Sequence, residues 1–209
     1  MAAVRVLTGR DAYLYMVWPL ARMTAAPAFT IPPAYQWRYF QPDDTQAYCA
    51  LVNLDGWRDA QWQCTERSLR YMIDRALPNG FFLVEHRASR TLVATAMARH
   101  RPDANTYYFP YGGEICLVFV HPEHRRQGLG RAMTAAVLNR LLTIEYPTIY
   151  LNVIDGRLPA LRLYLTMGFV PLLYTAEVAA RWQTICTQLH WPYTPNLWPQ
   201  QIAGFLEEN

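Results

Sequence analysis

The feature of this chain that most limits its fold is a strand, a turn and a helix in direct succession. An apolar run from Ile115 to Val120 has the composition of a buried strand. After a polar turn, apolar residues recur at the spacing of an amphipathic helix. They are Leu129, Ala132, Met133, Ala136, Val137 and Leu141. Between the two elements, residues 125–130 have the sequence Arg-Arg-Gln-Gly-Leu-Gly, and we call them the glycine turn.

The glycine turn is predicted to bind an anion. Gly128 and Gly130 have no Cβ, so the backbone can turn tightly there and approach a ligand closely. The free N–H groups of the following helical turn converge on one point, where the helix dipole adds about half a positive charge. A phosphate or pyrophosphate fits such a site best.

Two common phosphate-binding motifs do not match the glycine turn. A P-loop requires Gly-Lys-Ser/Thr, which is absent here. The dinucleotide fingerprint requires a third glycine at position 133, which is Met, and here an arginine precedes the glycines. An ordinary strand–turn–helix corner without a ligand remains the alternative.

The stretch resembles the acyl-CoA-binding motif of the GCN5-related N-acetyltransferase (GNAT) superfamily. That motif is Arg/Gln-x-x-Gly-x-Gly/Ala after a strand ending in Val-x-Val-x-Pro, which begins here at Val118. A second family pattern is Asn-x-x-Ala-x-x-Leu-Tyr-x-x-x-Gly-Phe, and Arg157 replaces its Asn. The residues that match it in register are Ala160, Leu163, Tyr164, Gly168 and Phe169.

The resemblance covers about residues 35 to 175, where the predicted element order, β-α-α-β-β-β-α-β-α-β, is also that of the superfamily. It implies an α+β (mixed α/β) fold, the GNAT acyl-CoA N-acyltransferase fold. The expected sheet is mixed, mostly antiparallel, splayed between its fourth and fifth strands and flanked by helices. We divide the chain into an N-terminal extension (1–34), an acetyltransferase core (35–175), and a C-terminal helix and tail (176–209). The tail is expected to pack on the core, and the extension on the core or on a partner subunit.

Local signals place several element boundaries. Asp43 or Asp44 is predicted to cap a first helix, and Thr65 a second helix that stops at residues 78–80. Residues 169–174 are predicted to form the last strand of the core.

For the ligand, the resemblance implies acetyl-CoA as the acyl donor, with no metal. Backbone groups of the fourth core strand would pair with the pantetheine arm, and the Val120 N–H would face the oxyanion. The glycine turn would hold the pyrophosphate, and Asn152 would take the place of the missing family Asn. The predicted contacts are Val118, Phe119, Val120, Arg125, Arg126, Gln127, Gly128, Leu129, Gly130, Arg131, Asn152 and Tyr164.

Two side chains are predicted to move protons. The attacking amine must lose a proton, and the departing thiolate, with a pKa of about 8.5, can gain one from a phenol with a pKa of about 10. Tyr164 matches the tyrosine that family members often point at the CoA sulfur, so it is the predicted acid. Glu114, at the start of the central strand, is the predicted base, acting directly or through water. The alternatives are a core tyrosine and a solvated carboxylate.

Other reactive residues are weaker candidates. His121 and His124 flank the glycine turn and titrate near neutrality, but loop histidines are usually only exposed. Cys116 is a poor nucleophile because its apolar neighbours disfavour the thiolate. The cysteines have no metal-ligand spacing and are predicted to be free thiols. They are Cys49, Cys64, Cys116 and Cys186.

Composition narrows the class of function. A net charge of +3, with no basic cluster outside the glycine turn region, argues against nucleic-acid binding. The apolar stretch at residues 12–21 is too short to span a membrane, and the preceding Asp11 argues against a signal peptide. These observations favour a cytoplasmic protein, and the family resemblance implies an N-acetyltransferase that moves an acetyl group to a primary amine by direct attack in a ternary complex.

Some alternatives remain open. The acceptor is a small molecule or a peptide that the sequence does not identify, and a homodimer is compatible with the pattern. A non-catalytic acyl-CoA sensor or a protein-interaction module on the same fold would share the motif. Five aromatic residues are predicted to line the acceptor pocket or to belong to the core: Trp57, Trp62, Tyr107, Tyr108 and Tyr111.

Overall fold

The structure of the chain is a computed structural model that describes residues 13–25, 27–54, 63–100, 109 and 112–200. Its elements are numbered in chain order. The strands are β1 (Leu14–Val17), β2 (Tyr35–Tyr39), β3 (Ala76–His86), β4 (Thr91–His100), β5 (Gly113–Val120), β6 (Ile149–Val153) and β7 (Val170–Pro171). The helices are α1 (Thr45–Asn53), α2 (Glu66–Ile73), α3 (Leu129–Leu142), α4 (Leu158–Met167) and α5 (Ala176–Leu189).

The described strands form one seven-stranded sheet in the order β2-β3-β4-β5-β6-β1-β7. Strands β2 to β5 pair antiparallel, and so do β6, β1 and β7. Within this sheet the parallel pair is β5 and β6, which α3 connects as a parallel crossover requires. The predicted mixed, mostly antiparallel sheet flanked by helices is confirmed.

Strand β1 was not predicted. Leu14–Val17 pairs with β6 on one side and β7 on the other, so part of the N-terminal extension belongs to the sheet itself. All four residues of β1 are buried. Strands buried on both faces show no alternation of apolar and polar residues, which is why the unbroken apolar run gave no strand signal.

Helices cover the two faces of the sheet. Successive strand residues point to opposite faces, and in β4 the side chain of Met97 belongs to one core while those of Ala96 and Ala98 belong to another. Helices α1 and α2 contribute Tyr48 and Leu69 to the core around Met97. Helices α3, α4 and α5 pack in the core on the opposite face.

Helix α2 begins where the capping signal predicts. The Thr65 hydroxyl accepts a hydrogen bond from the Ser68 N–H at 3.2 Å. The predicted end at residues 78–80 is wrong, because α2 stops at Ile73 and the chain enters β3 at Ala76.

The last part of the core also differs from the prediction. The strand expected over residues 169–174 is reduced to β7, where Pro171 has no N–H to extend the ladder. Helix α5 then returns over the sheet and buries Trp182, whose ring lies 6.0 Å from that of Trp198 in the tail.

Candidate active site

The sheet splays between β5 and β6, the fourth and fifth core strands, as predicted. Their pairing joins residues 113–115 to residues 149–151 and stops there. Residues 116–120 keep β4 as a neighbour, but within the described sheet they have no partner in β6. We call the space beyond the last pair the splay. The predicted ligand contacts along it are Val118, Phe119 and Val120.

A β-bulge bends β5 at the splay. The β4–β5 register shifts between the pairs Thr95–Phe119 and Met97–Cys116, and Leu117 at the shift has a φ of 53°. Such a conformation costs a non-glycine residue about 1–3 kcal/mol, and it persists only where the surrounding structure enforces it. Bulges interrupt a ladder and re-aim neighbouring groups. Here the interruption falls on the stretch where an acyl donor is predicted to pair.

The glycine turn has an unusual backbone conformation directly before α3. Arg126 and Gly128 have φ values of 62° and 80°, and α3 begins directly afterwards at Leu129. A Cβ added to Gly128 would meet nothing within 4 Å, so the space beside this glycine is open. A Cβ on Gly130 would lie 3.3 Å from Leu163 Cδ2, so this glycine serves the packing of α3 on α4.

The side chains in and next to the glycine turn are of three kinds: one is bonded to the end of β5, three are exposed, and one is buried. Arg125 Nε donates to the Val120 carbonyl at 3.2 Å, which fixes the turn against the end of β5. Arg126 and Arg131 are exposed, and in the described part of the chain no ion pair involves them. Gln127 is exposed too, whereas the Leu129 side chain is buried and can offer a ligand only its backbone.

Tyr164 lies on α4 with its side chain 7% exposed. Burial, with a smaller contribution from Cys116 on β5, raises the pKa of Tyr164 above its ordinary value. The phenol therefore remains protonated at neutral pH, as a proton donor must. No hydrogen bond to another described residue holds its hydroxyl.

The N-terminal segment fixes the end of α4. Gly168 caps this helix with a φ of 103°, and a Cβ there would lie 1.8 Å from Nη1 of Arg22. The same Nη1 donates to the Met167 carbonyl at 3.3 Å. Trp18 packs on Phe169 with 5.0 Å between ring centroids. Gly168 and Phe169, which match the second family pattern, therefore pack against residues that precede the core.

Glu114 does not lie at an open mouth of the splay. It is 1% exposed, and its carboxylate accepts three hydrogen bonds of 2.8–3.0 Å from Arg99 on β4. Two residues of β6 also contact the carboxylate: Asn152 Nδ2 donates at 2.8 Å and the Tyr150 hydroxyl at 3.5 Å. Arg99 is itself 6% exposed, so this is a buried ion pair at the closed end of the splay.

The contacts around Glu114 affect two predictions, the role of Glu114 as the base and the contact of Asn152 with the pantetheine arm. Direct proton abstraction by Glu114 would require an amine to displace a donor from a carboxylate that is already surrounded, so the geometry does not favour it. The Asn152 amide is directed to Glu114, and a contact with the pantetheine arm would compete with that bond. Arg99 and Tyr150 were missed because their meeting depends on strand register rather than on any local pattern.

The histidines near the glycine turn form a cluster. His124 lies between His86 and His121, with ring centroids at 5.0 and 5.4 Å, and its Nδ1 is 3.1 Å from the Tyr35 hydroxyl. Burial, and then the two neighbouring histidines, lower the pKa of His124. The His121 Nδ1 accepts from the Glu123 N–H at 3.2 Å, so this histidine also helps shape the loop.

Other predictions fall outside what the structure describes. The five aromatic residues proposed for the acceptor pocket lie in residues 55–62, 101–108 and 110–111, which are not among the described residues. The described part of the chain contains no group of three or more His, Cys, Asp or Glu side chains able to hold a metal. None of its helices has the length and apolar character to cross a membrane.

Comparison with known proteins identifies the family of this chain. Residues 35–169 match the model of the Acetyltransferase (GNAT) family. The mycothiol acetyltransferase of Thermobispora bispora is 32% identical over 171 residues, which cover 79% of this chain and 56% of that protein. Its counterpart in Frankia casuarinae is 29% identical over 174 residues, covering 79% and 49%. The chain thus spans about half the length of these curated relatives.

Solved structures share the fold. A GCN5-related N-acetyltransferase from Sphaerobacter thermophilus matches with a TM-score of 0.59 and 21% identity, covering 76% of this chain and 48% of that one. The ribosomal-protein-S18-alanine N-acetyltransferase of Escherichia coli matches with a TM-score of 0.50 and 20% identity, covering 64% and 76%. The family match over residues 35–169 and the shared fold show that the chain belongs to the GNAT family.

Proposed function

We propose that this chain is an acetyltransferase that transfers the acetyl group of acetyl-CoA to a primary amine by direct attack in a ternary complex. The observation that carries the proposal is the combination of the open glycine turn with the splay beside it. The space before Gly128 suits a pyrophosphate, and the bulged stretch 116–120 suits an extended pantetheine arm. Family membership supports the donor, because GNAT proteins generally use acetyl-CoA.

In the proposed reaction the chain binds and orients the donor and supplies one proton. The amides of residues 126–130, with the α3 dipole behind them, hold the diphosphate, and Arg126 and Arg131 add charge. The backbone of Val118 and Val120 aligns the donor along β5, and an N–H there stabilises the oxyanion. Tyr164, buried and protonated, donates to the departing thiolate. The role we propose for Glu114 is to hold β5 to β4 through Arg99 and to β6 through Tyr150 and Asn152.

The proposed acceptor is a small-molecule amine. Both curated relatives described above are named for mycothiol, so an amine related to mycothiol is the first compound to test. A peptide acceptor is the second candidate because the same fold acts on a protein in the Escherichia coli neighbour.

Thiol release from acetyl-CoA tests the proposal. The purified chain is screened against mycothiol-related amines, amino acids, polyamines, aminoglycosides and peptides, with longer acyl donors in parallel. We expect turnover with at least one amine and a fall in kcat of about 100-fold in Tyr164→Phe, typical of losing a general acid.

Tyr193→Phe is the matched control, because its hydroxyl donates to the Ala179 carbonyl of α5 and has no role in the proposed reaction. Binding of acetyl-CoA without turnover on any amine would instead identify a sensor. Absence of acetyl-CoA binding would overturn the assignment of the glycine turn.

A further inference from the structure

Two cysteines that the sequence separates meet in the structure. Cys49 lies on α1, and Cys64 immediately precedes Thr65, the cap of α2. Their Sγ atoms are 3.4 Å apart. Both are free thiols, and the acetyl-transfer chemistry proposed above uses neither of them.

The backbone around the two thiols is held in place independently of the sulfurs. Asn53, one helical turn after Cys49 on α1, donates from Nδ2 to the Cys64 carbonyl at 3.1 Å. Its Oδ1 accepts from the Cys64 N–H at 2.7 Å. This two-way contact fixes the Cys64 backbone against α1, so the short distance between the sulfurs is a property of the fold.

The two thiols differ in their access to solvent. Cys49 is half-buried, whereas Cys64 is 4% exposed. Burial, and then the hydrogen bond to Cys49, raise the pKa of Cys64 to about 12. Because the thiolate is the reactive form, an oxidant from solvent meets a reactive sulfur first at Cys49.

We propose that Cys49 and Cys64 are a redox-active pair that a small-molecule disulfide converts to an intramolecular disulfide. The Cys49 thiolate attacks the small disulfide, forms a mixed disulfide and expels one small thiolate. The Cys64 thiolate then attacks the Cys49 sulfur and expels the second. The protein loses two electrons and two protons, and the small disulfide is reduced to two thiols. The sulfurs must close from 3.4 Å to about 2.05 Å, a change within reach of side-chain rotation.

The disulfide would tie α1 covalently to the start of α2. Both helices pack on the sheet face that carries the buried pair of Arg99 and Glu114. Tyr48, adjacent to Cys49, is buried, and its hydroxyl has no hydrogen-bond partner among the described residues. The proposal does not depend on acetyl transfer.

A thiol count in a glutathione redox buffer tests the proposal on the full chain. The reduced protein is equilibrated with reduced and oxidised glutathione, quenched with acid, alkylated, and analysed by intact mass and peptide mapping. We expect two of the four thiols to disappear, one Cys49–Cys64 disulfide to form, and no glutathione to remain attached.

Variants separate the two steps. Cys64→Ser should retain glutathione on Cys49, and Cys49→Ser should form no intramolecular disulfide; the matching alanine variants replace either one if it folds poorly. Cys186→Ser, a buried thiol on α5, is the matched control and should still lose two thiols.

The same titration in urea asks whether the fold creates the pair. Disulfide formation should be at least about tenfold less favourable once the chain is unfolded, because the fixed geometry supplies a high effective concentration. Equal values in the two states, persistent alkylation of both cysteines in oxidising buffer, or a disulfide to Cys116 instead would each overturn the proposal.

Discussion

Replacing Glu114 by glutamine should destabilise the folded chain by about 3 kcal/mol. Arg99 is 6% exposed and gives the carboxylate three hydrogen bonds. Glutamine keeps the shape and one acceptor but removes the charge, and a guanidinium cannot lose its proton to adapt. Breaking a buried pair from one side costs roughly 3–5 kcal/mol, and the remaining acceptor oxygen favours the lower end.

Urea unfolding followed by far-UV circular dichroism measures this loss. The midpoint should fall while the slope of the unfolding free energy against urea stays constant, which shows that stability changed and the unfolded state did not. Glu66→Gln is the matched control, since Glu66 pairs with Arg70 at 3.2 Å with both side chains largely exposed. Exposed pairs contribute little, so its midpoint should not move measurably.

A second substitution tests whether losing the arginine of this pair costs as much stability as losing the carboxylate. Arg99→Met should cost less than Glu114→Gln, because Glu114 still accepts from Asn152 and Tyr150 and a buried carboxylate can take up a proton. If Glu114→Gln is as mild as Glu66→Gln, the carboxylate is solvated in the folded protein. The buried-pair reasoning would then be refuted, and Glu114 would be free to act as the base that the sequence predicted.

Three further outcomes are expected. Gly128→Ala should cost about 1 kcal/mol of stability through its positive φ and weaken acetyl-CoA binding at least about tenfold by calorimetry. Gly156→Ala, with equally open surroundings and no positive φ, should change neither. Because burial raises the pKa of Tyr164, the Tyr164-dependent part of kcat should not fall on the alkaline side before about pH 10. The third outcome concerns Asp44. Burial acts to raise the pKa of this carboxyl, but hydrogen bonds from Arg38 outweigh burial and the pKa is lowered. The stability that this pair provides is therefore present above about pH 4 and lost as the pH falls through the lowered pKa, and Arg38→Met should flatten that acid loss in thermal unfolding.

The parts of the fold that the sequence predicted are those determined by neighbouring residues. Gly128 was predicted from turn chemistry, and it adopts the left-handed conformation that glycine tolerates. The Thr65 cap is equally local, because its hydroxyl bonds a residue three positions away. Such signals need no knowledge of the rest of the molecule.

What the sequence did not predict depends on contacts between distant segments. Arg99 and Glu114 are partners through the antiparallel register of β4 and β5, and nothing in either strand alone fixes that register. Cys49 and Cys64 meet because α1 and the start of α2 are folded against each other by Asn53. Neither contact leaves a spacing pattern that could be recognised in advance.

The position of β1 has a consequence for how this protein can be divided. The family match begins at residue 35, but Leu14–Val17 lies between β6 and β7, so a chain cut at that match would lose an interior strand. The cut would uncover a row of backbone N–H and C=O groups along β6 that invites pairing with any free strand, including that of another molecule. It would also remove Trp18 and Arg22 from the end of α4, so the helix that carries Tyr164 would lose its anchor. The smallest unit worth expressing therefore begins before Leu14.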